Sequence, residues 1–295
     1  MPTEDNEIAE VRSAMCDLAS SVTLPIRSQI WRGGVGRSLG QGSGSSLEFQ
    51  DHRLYYPGDD PRHVDWRAYG RTDQLIMKQY REEVRPKVDL VCDVSSSMSY
   101  LPEKRRRVLE LFCLCAESAL QLDVSLRVWC VRGEELHSLE GERAFGRVSE
   151  MLRPATAGER GDPPNFQNLR WRYGSLRVFL SDLLFVGDPA NWLMGLRANA
   201  GHGIVLAPFD PSELEPPWRG NVMLIDVERG ETRPQRATDE LMDRYRASYQ
   251  RHFAAWRDAS TSYGVRAARV STEGDVAAAI KAEALRSGAF ELCSS

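Results

Sequence analysis

Apolar residues recur with two different periodicities along the chain after Pro86, and together these periodicities predict alternating strands and helices. Period-2 or continuous apolar runs are typical of buried strands: KVDLVCDV (87–94), VSLRVWCV (124–131), LRVFLSD (176–182), GIVLAP (203–208) and GVRAARV (264–270). A helical repeat over 103–122 places six apolar residues on one face, and further helices are expected from Pro189, around Tyr245 to Trp256, and over 274–287. This alternation predicts an α/β fold, with a mainly parallel sheet covered by helices on both sides.

The chain before Pro86 and one later insertion interrupt this alternation. Residues 1–46 predict a short helix followed by a flexible Gly/Ser-rich segment. Residues 47–85 combine the turn signal PGDDP with the strand-like QLIMKQY, which indicates a small β-containing subdomain. We expect the α/β domain to occupy 86–295, with an insertion at about 209–236 that ends in a hairpin around NVMLIDVERGE.

Composition narrows the class of partner. The net charge of −4 arises from 38 basic and 42 acidic residues, so no overall field attracts nucleic acid or an anionic membrane. No apolar stretch approaches the roughly 18 residues of a membrane helix, and the N-terminus lacks the features of a signal peptide. Six scattered cysteines without a C-x-x-C pair are expected to be reduced. We therefore expect a cytoplasmic protein without membrane insertion.

The segment DVSSSM (93–98) places one acid and three hydroxyls directly after the first predicted strand. Ligands bind at the carboxyl ends of parallel strands, and Asp93, Ser95 and Ser97 offer the hard oxygen atoms that Mg²⁺ prefers. Asp182, at the end of the FLSD strand, would add a second carboxylate at the same edge. The alternative is that the serines cap the next helix while Asp93 accepts backbone N–H bonds. Spacing alone leaves both interpretations open.

Two resemblances bear on this choice. DVSSSM resembles the D-x-S-x-S signature of the metal-ion-dependent adhesion site of von Willebrand factor A domains. The stretch from about residue 30 to 275 resembles the bacterial domain-of-unknown-function family 58. The residues that carry this second resemblance are Tyr55 or Tyr56, Pro57, Gly58, Asp59, Asp60, Arg62, Asp65, Trp66 and Arg71.

The resemblance implies a von Willebrand A-like (Rossmann-like) fold and a non-enzymatic protein-binding role beside a MoxR-type AAA+ ATPase. Such pairs look like a motor and an adaptor that assemble or mature a client complex. The implied metal is Mg²⁺ or Mn²⁺, held by Asp93, Ser95, Ser97 and Asp182. The expected threonine of a second loop lacks its usual Gly-Gly-Thr context here, where Thr156 and Asp162 are the candidates.

Three further interpretations remain at this stage. The Tyr55–Arg71 motif is either a recognition surface or a buried charge network that holds the small subdomain on the sheet. The run KRRR (104–107) predicts a solvated helix start, with an acidic partner as the alternative. A metal-dependent hydrolase would place His, Lys or further acids near Asp93 and Asp182, whereas a metal-free scaffold would consume Asp93 and the serines in backbone hydrogen bonds.

Overall fold

The structure is a computed structural model, and it describes residues 4–26, 47–82, 86–153 and 163–293. Two compact units are present, one assigned to 1–34 and 86–295 and the other to 35–85. The Gly/Ser-rich segment predicted to be flexible (31–46) lies outside the described residues. Within those four ranges, no helix combines the length and the apolar character needed to cross a membrane.

Helices and strands alternate through the larger unit, as the apolar periodicity predicts. The elements of both units are numbered together here, and α2, β2 and β3 belong to the smaller unit. In chain order the helices are α1 (Glu4–Ala19), α2 (Trp66–Thr72), α3 (Pro102–Gln121), α4 (Arg143–Met151), α5 (Ala190–Arg197), α6 (Pro211–Leu214), α7 (Asp239–Tyr263) and α8 (Val276–Ala279). The strands are β1 (Val22–Thr23), β2 (Leu47–Leu54), β3 (Ile76–Glu82), β4 (Lys87–Asp93), β5 (Ser125–Arg132), β6 (Glu135–Glu140), β7 (Leu176–Leu180), β8 (His202–Phe209), β9 (Gly220–Ile225), β10 (Thr232–Ala237), β11 (Arg266–Ser271) and β12 (Glu291–Leu292).

A six-stranded sheet in the order β11-β8-β7-β4-β5-β6 forms the centre of the larger unit. Strands β11, β8, β7, β4 and β5 run parallel, and β6 pairs antiparallel with β5 at one edge. The mixed α/β class with a mainly parallel sheet is therefore confirmed. The elements that were not predicted include β6, whose face is largely exposed and polar, and the short helix α4.

Both faces of this sheet are packed against helices. Alternation along β4 sends Leu90 and Cys92 into a core that includes residues of α1, α3, α4 and α8, while Val91 faces a core formed with α5 and α7. The second core is rich in aromatic residues, and Trp192 packs 5.8 Å from Trp256 between ring centroids. Because helices cover both faces of the central strands, the carboxyl ends of these strands are where ligands bind in a sheet of this kind.

The KRRR run at the start of α3 is not a solvated face, so that prediction is wrong. Lys104, Arg105 and Arg107 are buried, at 2%, 6% and 4% exposure. Arg105 Nε donates to the carbonyl of Leu152 at 2.6 Å, and Arg107 donates to the carbonyl of Gly274 at 2.9 Å. Four successive residues project around the whole circumference of a helix, so on a helix packed against a sheet some of them must face inward.

The smaller unit contains β2, β3 and α2. The two strands pair antiparallel, with a register shift between Phe49 and Asp51. The chain turns at Tyr56–Asp59, where the amide of Asp59 donates to the carbonyl of Tyr56 at 3.0 Å and Gly58 has a φ of +107°. Proline followed by glycine at the two central positions suits such a turn, because the second position requires a positive φ.

Candidate functional site

The order of the strands creates a crevice between β4 and β7. From β4 the chain continues to β5 on one side, whereas from β7 it continues to β8 on the other side. Connections that leave in opposite directions open a gap at the carboxyl ends of the two strands, where ligands bind in open parallel sheets. Asp93 is the last residue of β4, and Asp182 follows two residues after β7, so both predicted carboxylates lie at this switch point.

Asp93 is almost fully buried, and it is held by Ser181 and by both the amide and the hydroxyl of Ser95. Its Oδ1 accepts the amide of Ser95 at 3.0 Å, and its Oδ2 accepts the hydroxyl of Ser181 at 2.7 Å. Burial, followed by the negative charge of Asp182, raises the pKa of Asp93 to about 7. A carboxyl group in this environment would be stabilised in its ionised form by a nearby cation.

The serine hydroxyls of DVSSSM are not used as helix caps. Residues Ser96–Met98 form one turn of 3₁₀ helix whose N-cap, Ser95, makes no side-chain cap hydrogen bond. The long helix α3 begins only after Leu101, which also makes none. Instead, Ser95 Oγ lies 3.3 Å from Ser97 Oγ. The Ser95 hydroxyl also hydrogen-bonds to Asp93 and the Ser97 hydroxyl to Asp182, so both interact with the carboxylates of the site and not with a helix end.

Asp182 belongs to a buried ion-pair cluster that the sequence did not reveal. Lys104 Nζ lies 2.7 Å from Asp182 Oδ2 and 2.6 Å from Glu213 Oε1. The other oxygen of Asp182 accepts the amide of Leu184 at 3.0 Å. Burial acts to raise the pKa of Asp182, but the charge of Lys104 and hydrogen bonds, including one from Ser97, outweigh it and lower that pKa below its ordinary value. Asp182 is therefore ionised and firmly oriented.

A fifth oxygen-bearing side chain reaches the loop from the hairpin formed by β9 and β10. Glu228, at the tip of this hairpin, accepts the amide of Ser97 at 2.7 Å and the amide of Ser96 at 3.2 Å. The sequence predicted the hairpin but gave no signal for this contact, because the partners are more than 130 residues apart along the chain.

These groups line one cleft of about 290 Å³. Its acidic members are Asp93, Asp182, Asp226 and Glu228, and its hydroxyl members are Ser95 and Ser97. Arg229 is the basic residue among the lining residues that the structure describes. Thr156 and Asp162, the candidates from the second loop, lie outside the described residues. The structure thus brings together four of the five predicted metal ligands: Asp93, Ser95, Ser97 and Asp182.

The acidic residues of the Tyr55–Arg71 motif pair with arginines and backbone amides within the smaller unit. Both carboxylate oxygens of Asp59 accept the guanidinium of Arg53 at 2.6 Å, and this contact lowers the pKa of Asp59 to about 2. Asp60 pairs with Arg62 at 2.7 Å. Asp65 caps α2 by accepting the amides of Arg67 and Ala68. The charges of this motif therefore have local structural partners.

The aromatic residues of the motif have a different position. Tyr56 and Trp66 are 65% and 62% exposed, and Tyr69 packs edge-on against Trp66 with ring centroids 6.2 Å apart. Arg71 lies exposed in the last turn of α2. The charge-network interpretation accounts for the acids, and it leaves these rings unexplained.

A mainly parallel α/β sheet with an oxygen-lined crevice at its switch point defines the structural class of this protein. The model of the family described as "Protein of unknown function DUF58" matches residues 51–258, and the chain belongs to this family.

Relatives of similar length are found in mycobacteria. Uncharacterized protein Rv1480 of Mycobacterium tuberculosis (strain ATCC 25618 / H37Rv) and uncharacterized protein Mb1516 of Mycobacterium bovis (strain ATCC BAA-935 / AF2122/97) are each 30% identical over 233 residues. The match covers 74% of this chain and 73% of each relative. Among solved structures, the conserved hypothetical protein BatB from Bacteroides thetaiotaomicron matches with a TM-score of 0.34 and 12% identity, over 67% of this chain and 95% of that chain.

Proposed function

We propose that this chain is a non-enzymatic protein-binding adaptor that works with a MoxR-type AAA+ ATPase in the assembly or maturation of a client complex. The proposal is carried by the convergence of Asp93, Ser95, Ser97 and Asp182 in one cleft at the switch point of the sheet. The class of ATPase and the existence of a client derive from the family resemblance of the sequence motifs. The site would bind an acidic group of the partner.

The proposal includes a von Willebrand A-like fold. Two features support it: the parallel sheet with an antiparallel strand at one edge, and the D-x-S-x-S signature directly after the central strand β4. In such an arrangement the recognition site lies at the carboxyl ends of the strands and leaves the packed faces of the sheet undisturbed.

The proposed ion is Mg²⁺ or Mn²⁺, and the spacing of two hydroxyl oxygens supports this choice. Neighbouring oxygens of an octahedral shell with bonds of about 2.1 Å lie about 3.0 Å apart, and the hydroxyl oxygens of Ser95 and Ser97 are 3.3 Å apart. The described residues contain no group of three or more His, Cys, Asp or Glu side chains placed to hold a metal, so the proposed ion would depend on the hydroxyls of Ser95 and Ser97 as well as on Asp93. Asp93, Ser95 and Ser97 would hold the ion, with Asp182 fixing the hydroxyl of Ser97. The ion would supply a positive charge and an open coordination position for a partner carboxylate.

The adaptor function is tested by affinity capture from the native lysate, followed by mass spectrometry. The chain is compared in excess Mg²⁺, in EDTA, and as Asp93→Asn, which removes the charge and keeps the shape. Asp188→Asn, an exposed acid in the loop after β7, is the matched control. We expect an AAA+ ATPase or a discrete client to be retained by the wild type in Mg²⁺ and by the control, and lost in EDTA and with Asp93→Asn. Retention under all four conditions would refute metal-dependent recognition.

A metal-dependent hydrolase at the same edge is the second candidate. It is favoured by the presence of Lys104 and Glu213 beside Asp182, the kind of charged neighbours that such an enzyme needs. However, Lys104 is 2% exposed and held between two carboxylates. Although burial opposes its charge, these carboxylates raise its pKa above the ordinary lysine value. Lys104 is therefore a permanently charged structural cation, unsuited to act as a base.

The metal-free scaffold is the third candidate. It requires that backbone hydrogen bonds consume Asp93 and the serines. Asp93 accepts a single backbone amide, that of Ser95, and its other bonds are to the hydroxyls of Ser181 and Ser95. The hydroxyls of Ser95 and Ser97 face each other. This arrangement favours a ligand site over a scaffold.

A further inference from the structure

The contact between the β9–β10 hairpin and the DVSSSM loop has a geometry that suggests regulation. The amides of Ser96 and Ser97 both point at the carboxylate of Glu228, at 3.2 Å and 2.7 Å. Hydrogen bonds to a charged acceptor are stronger than those between neutral groups. The same carboxylate lines the cleft that contains Asp93 and Asp182. Glu228 thus brings a third acid into a site that already holds two buried ones.

The tip of the hairpin is shaped to present Glu228. Asp226 Oδ1 accepts the amides of Glu228 at 2.9 Å and Arg229 at 3.1 Å, and the carbonyl of Asp226 accepts the amide of Gly230 at 2.7 Å. Gly230 has a φ of +69°, which closes the tip without strain. The conformation of the tip is therefore fixed by bonds to the side chain and the carbonyl of Asp226, and none of these bonds involves the side chain of Glu228.

The hairpin itself is weakly attached to the sheet. Among the described strands, β9 and β10 pair with each other alone, and most of their residues are exposed or partly exposed. An isolated two-stranded hairpin is marginally stable, and elements with little burial open at low cost. This element can therefore move away while the six-stranded sheet stays intact.

Beneath the hairpin lies an apolar groove of about 700 Å³ that continues from the loop. Its apolar lining includes Tyr100, Leu184 and Trp218, and on the hairpin side Met223 and Ile225 of β9. Displacement of the hairpin would expose part of this apolar surface next to two free amides. A protein segment that carries a carboxylate beside aliphatic side chains would match both features, and the tip sequence MLIDVE has that composition itself.

We infer that the β9–β10 hairpin is an internal strap whose Glu228 occupies the Ser96 and Ser97 amides, which a second acidic group of the partner takes when the partner docks at the proposed ion beside them. The inference rests on the proposed function. The partner segment is acidic and aliphatic, and it must displace Glu228, since two carboxylates cannot share the same pair of amides. An internal competitor of this kind lowers the apparent affinity for the partner in proportion to the fraction of chains in which the hairpin is displaced. Docking is then restricted to partners that also bind the groove.

The contact is tested first without any partner. Glu228→Ala removes the acceptor, and Glu231→Ala removes an exposed acid from the same hairpin as the matched control. Hydrogen–deuterium exchange is followed at residues 94–99. We expect exchange to rise at least about tenfold in Glu228→Ala and to stay unchanged in Glu231→Ala, because protection reports the free energy of local opening. Equal exchange in the wild type and Glu228→Ala would overturn the inference.

Competition is tested with a synthetic peptide of residues 220–237, and with the same peptide carrying Glu228→Ala. We expect the unaltered peptide to bind the Glu228→Ala chain at least about tenfold more tightly than the wild-type chain. The altered peptide is expected to bind neither chain. Equal binding to both chains, or binding to neither, would overturn the inference.

The two tests separate this inference from the proposed function. Suppose that exchange at residues 94–99 rises in Glu228→Ala, while capture of the partner is unchanged by EDTA and by Asp93→Asn. This result would support the strap and refute metal-dependent recognition at the site. Metal-dependent capture with unchanged exchange at residues 94–99 would refute the strap alone.

Discussion

Substituting asparagine for Asp93 should change how the stability of the chain depends on pH. The pKa of Asp93 is raised from 3.8 to about 7, first by burial and then by the charge of Asp182. Between these two values the folded chain binds a proton that the unfolded chain releases. The stabilisation that this proton provides is present at low pH and is lost as the pH rises through 7.

The magnitude follows from the two pKa values. Linkage predicts that the wild type loses about 2 to 3 kcal/mol of unfolding free energy between pH 5 and pH 8 through this one group. Asp93→Asn has no titrating group at the position. Its carbonyl oxygen can still accept the amide of Ser95, and its amide group can donate to the hydroxyl of Ser181. Between pH 5 and pH 8, the unfolding free energy of the variant should therefore rise by about 2 to 3 kcal/mol relative to that of the wild type.

The assay is urea denaturation at pH 5, 6, 7 and 8 in the presence of EDTA, followed by tryptophan fluorescence and circular dichroism. Asp188→Asn, on the exposed loop after β7, should keep a constant difference from the wild type. Saturating Mg²⁺ at pH 8 should restore stability to the wild type and leave Asp93→Asn unchanged, because an ion that binds only the folded state stabilises it. A pH-independent difference between Asp93→Asn and the wild type would refute the assigned environment of Asp93.

Three further substitutions test the packing around the site. Asp89→Asn, in the same strand, should cost about 3 to 5 kcal/mol at neutral pH, since it leaves Arg172, 2.7 Å away, without its buried carboxylate; denaturant unfolding measures this loss. Lys104→Met should cost a similar amount, about 3 to 5 kcal/mol, because it leaves two paired carboxylates uncompensated, and the loss should shrink at acidic pH in the same assay. Gly201→Ala should cost about 1 to 3 kcal/mol, because its Cβ would lie 2.4 Å from Cζ of the buried Arg177; an unchanged melting temperature would contradict this.

Strong local patterns explain which parts of the fold were predictable. Strands β4, β7 and β8 are buried on both faces, so they appear in the sequence as continuous apolar runs. Helix α3 is recognisable from its amphipathic repeat. The short edge strand β6 is mostly exposed and polar, and it carries no comparable signal. The loop DVSSSM was found because acid and hydroxyls follow a buried strand directly.

The charged partners of the site could not be predicted in the same way. Lys104 meets Asp182 across 78 positions and Glu213 across 109, and nothing near Lys104 in sequence indicates burial. Glu228 reaches the amides of Ser96 and Ser97 only because the hairpin folds back onto the crevice. Such contacts depend on tertiary geometry, which local propensity does not encode.

Titration of Mn²⁺ by calorimetry into the wild type, Ser97→Ala and Ser99→Ala tests the central claim most directly. Ser99 lies in the same loop, and its hydroxyl contacts only the carbonyl of Ser96 among the hydrogen bonds described for it, at 3.5 Å. The account predicts one ion per chain in the wild type and in Ser99→Ala, with binding lost or weakened at least about tenfold in Ser97→Ala. Binding that is equal in all three proteins, or absent from the wild type, would contradict a metal-dependent docking site at the DVSSSM loop.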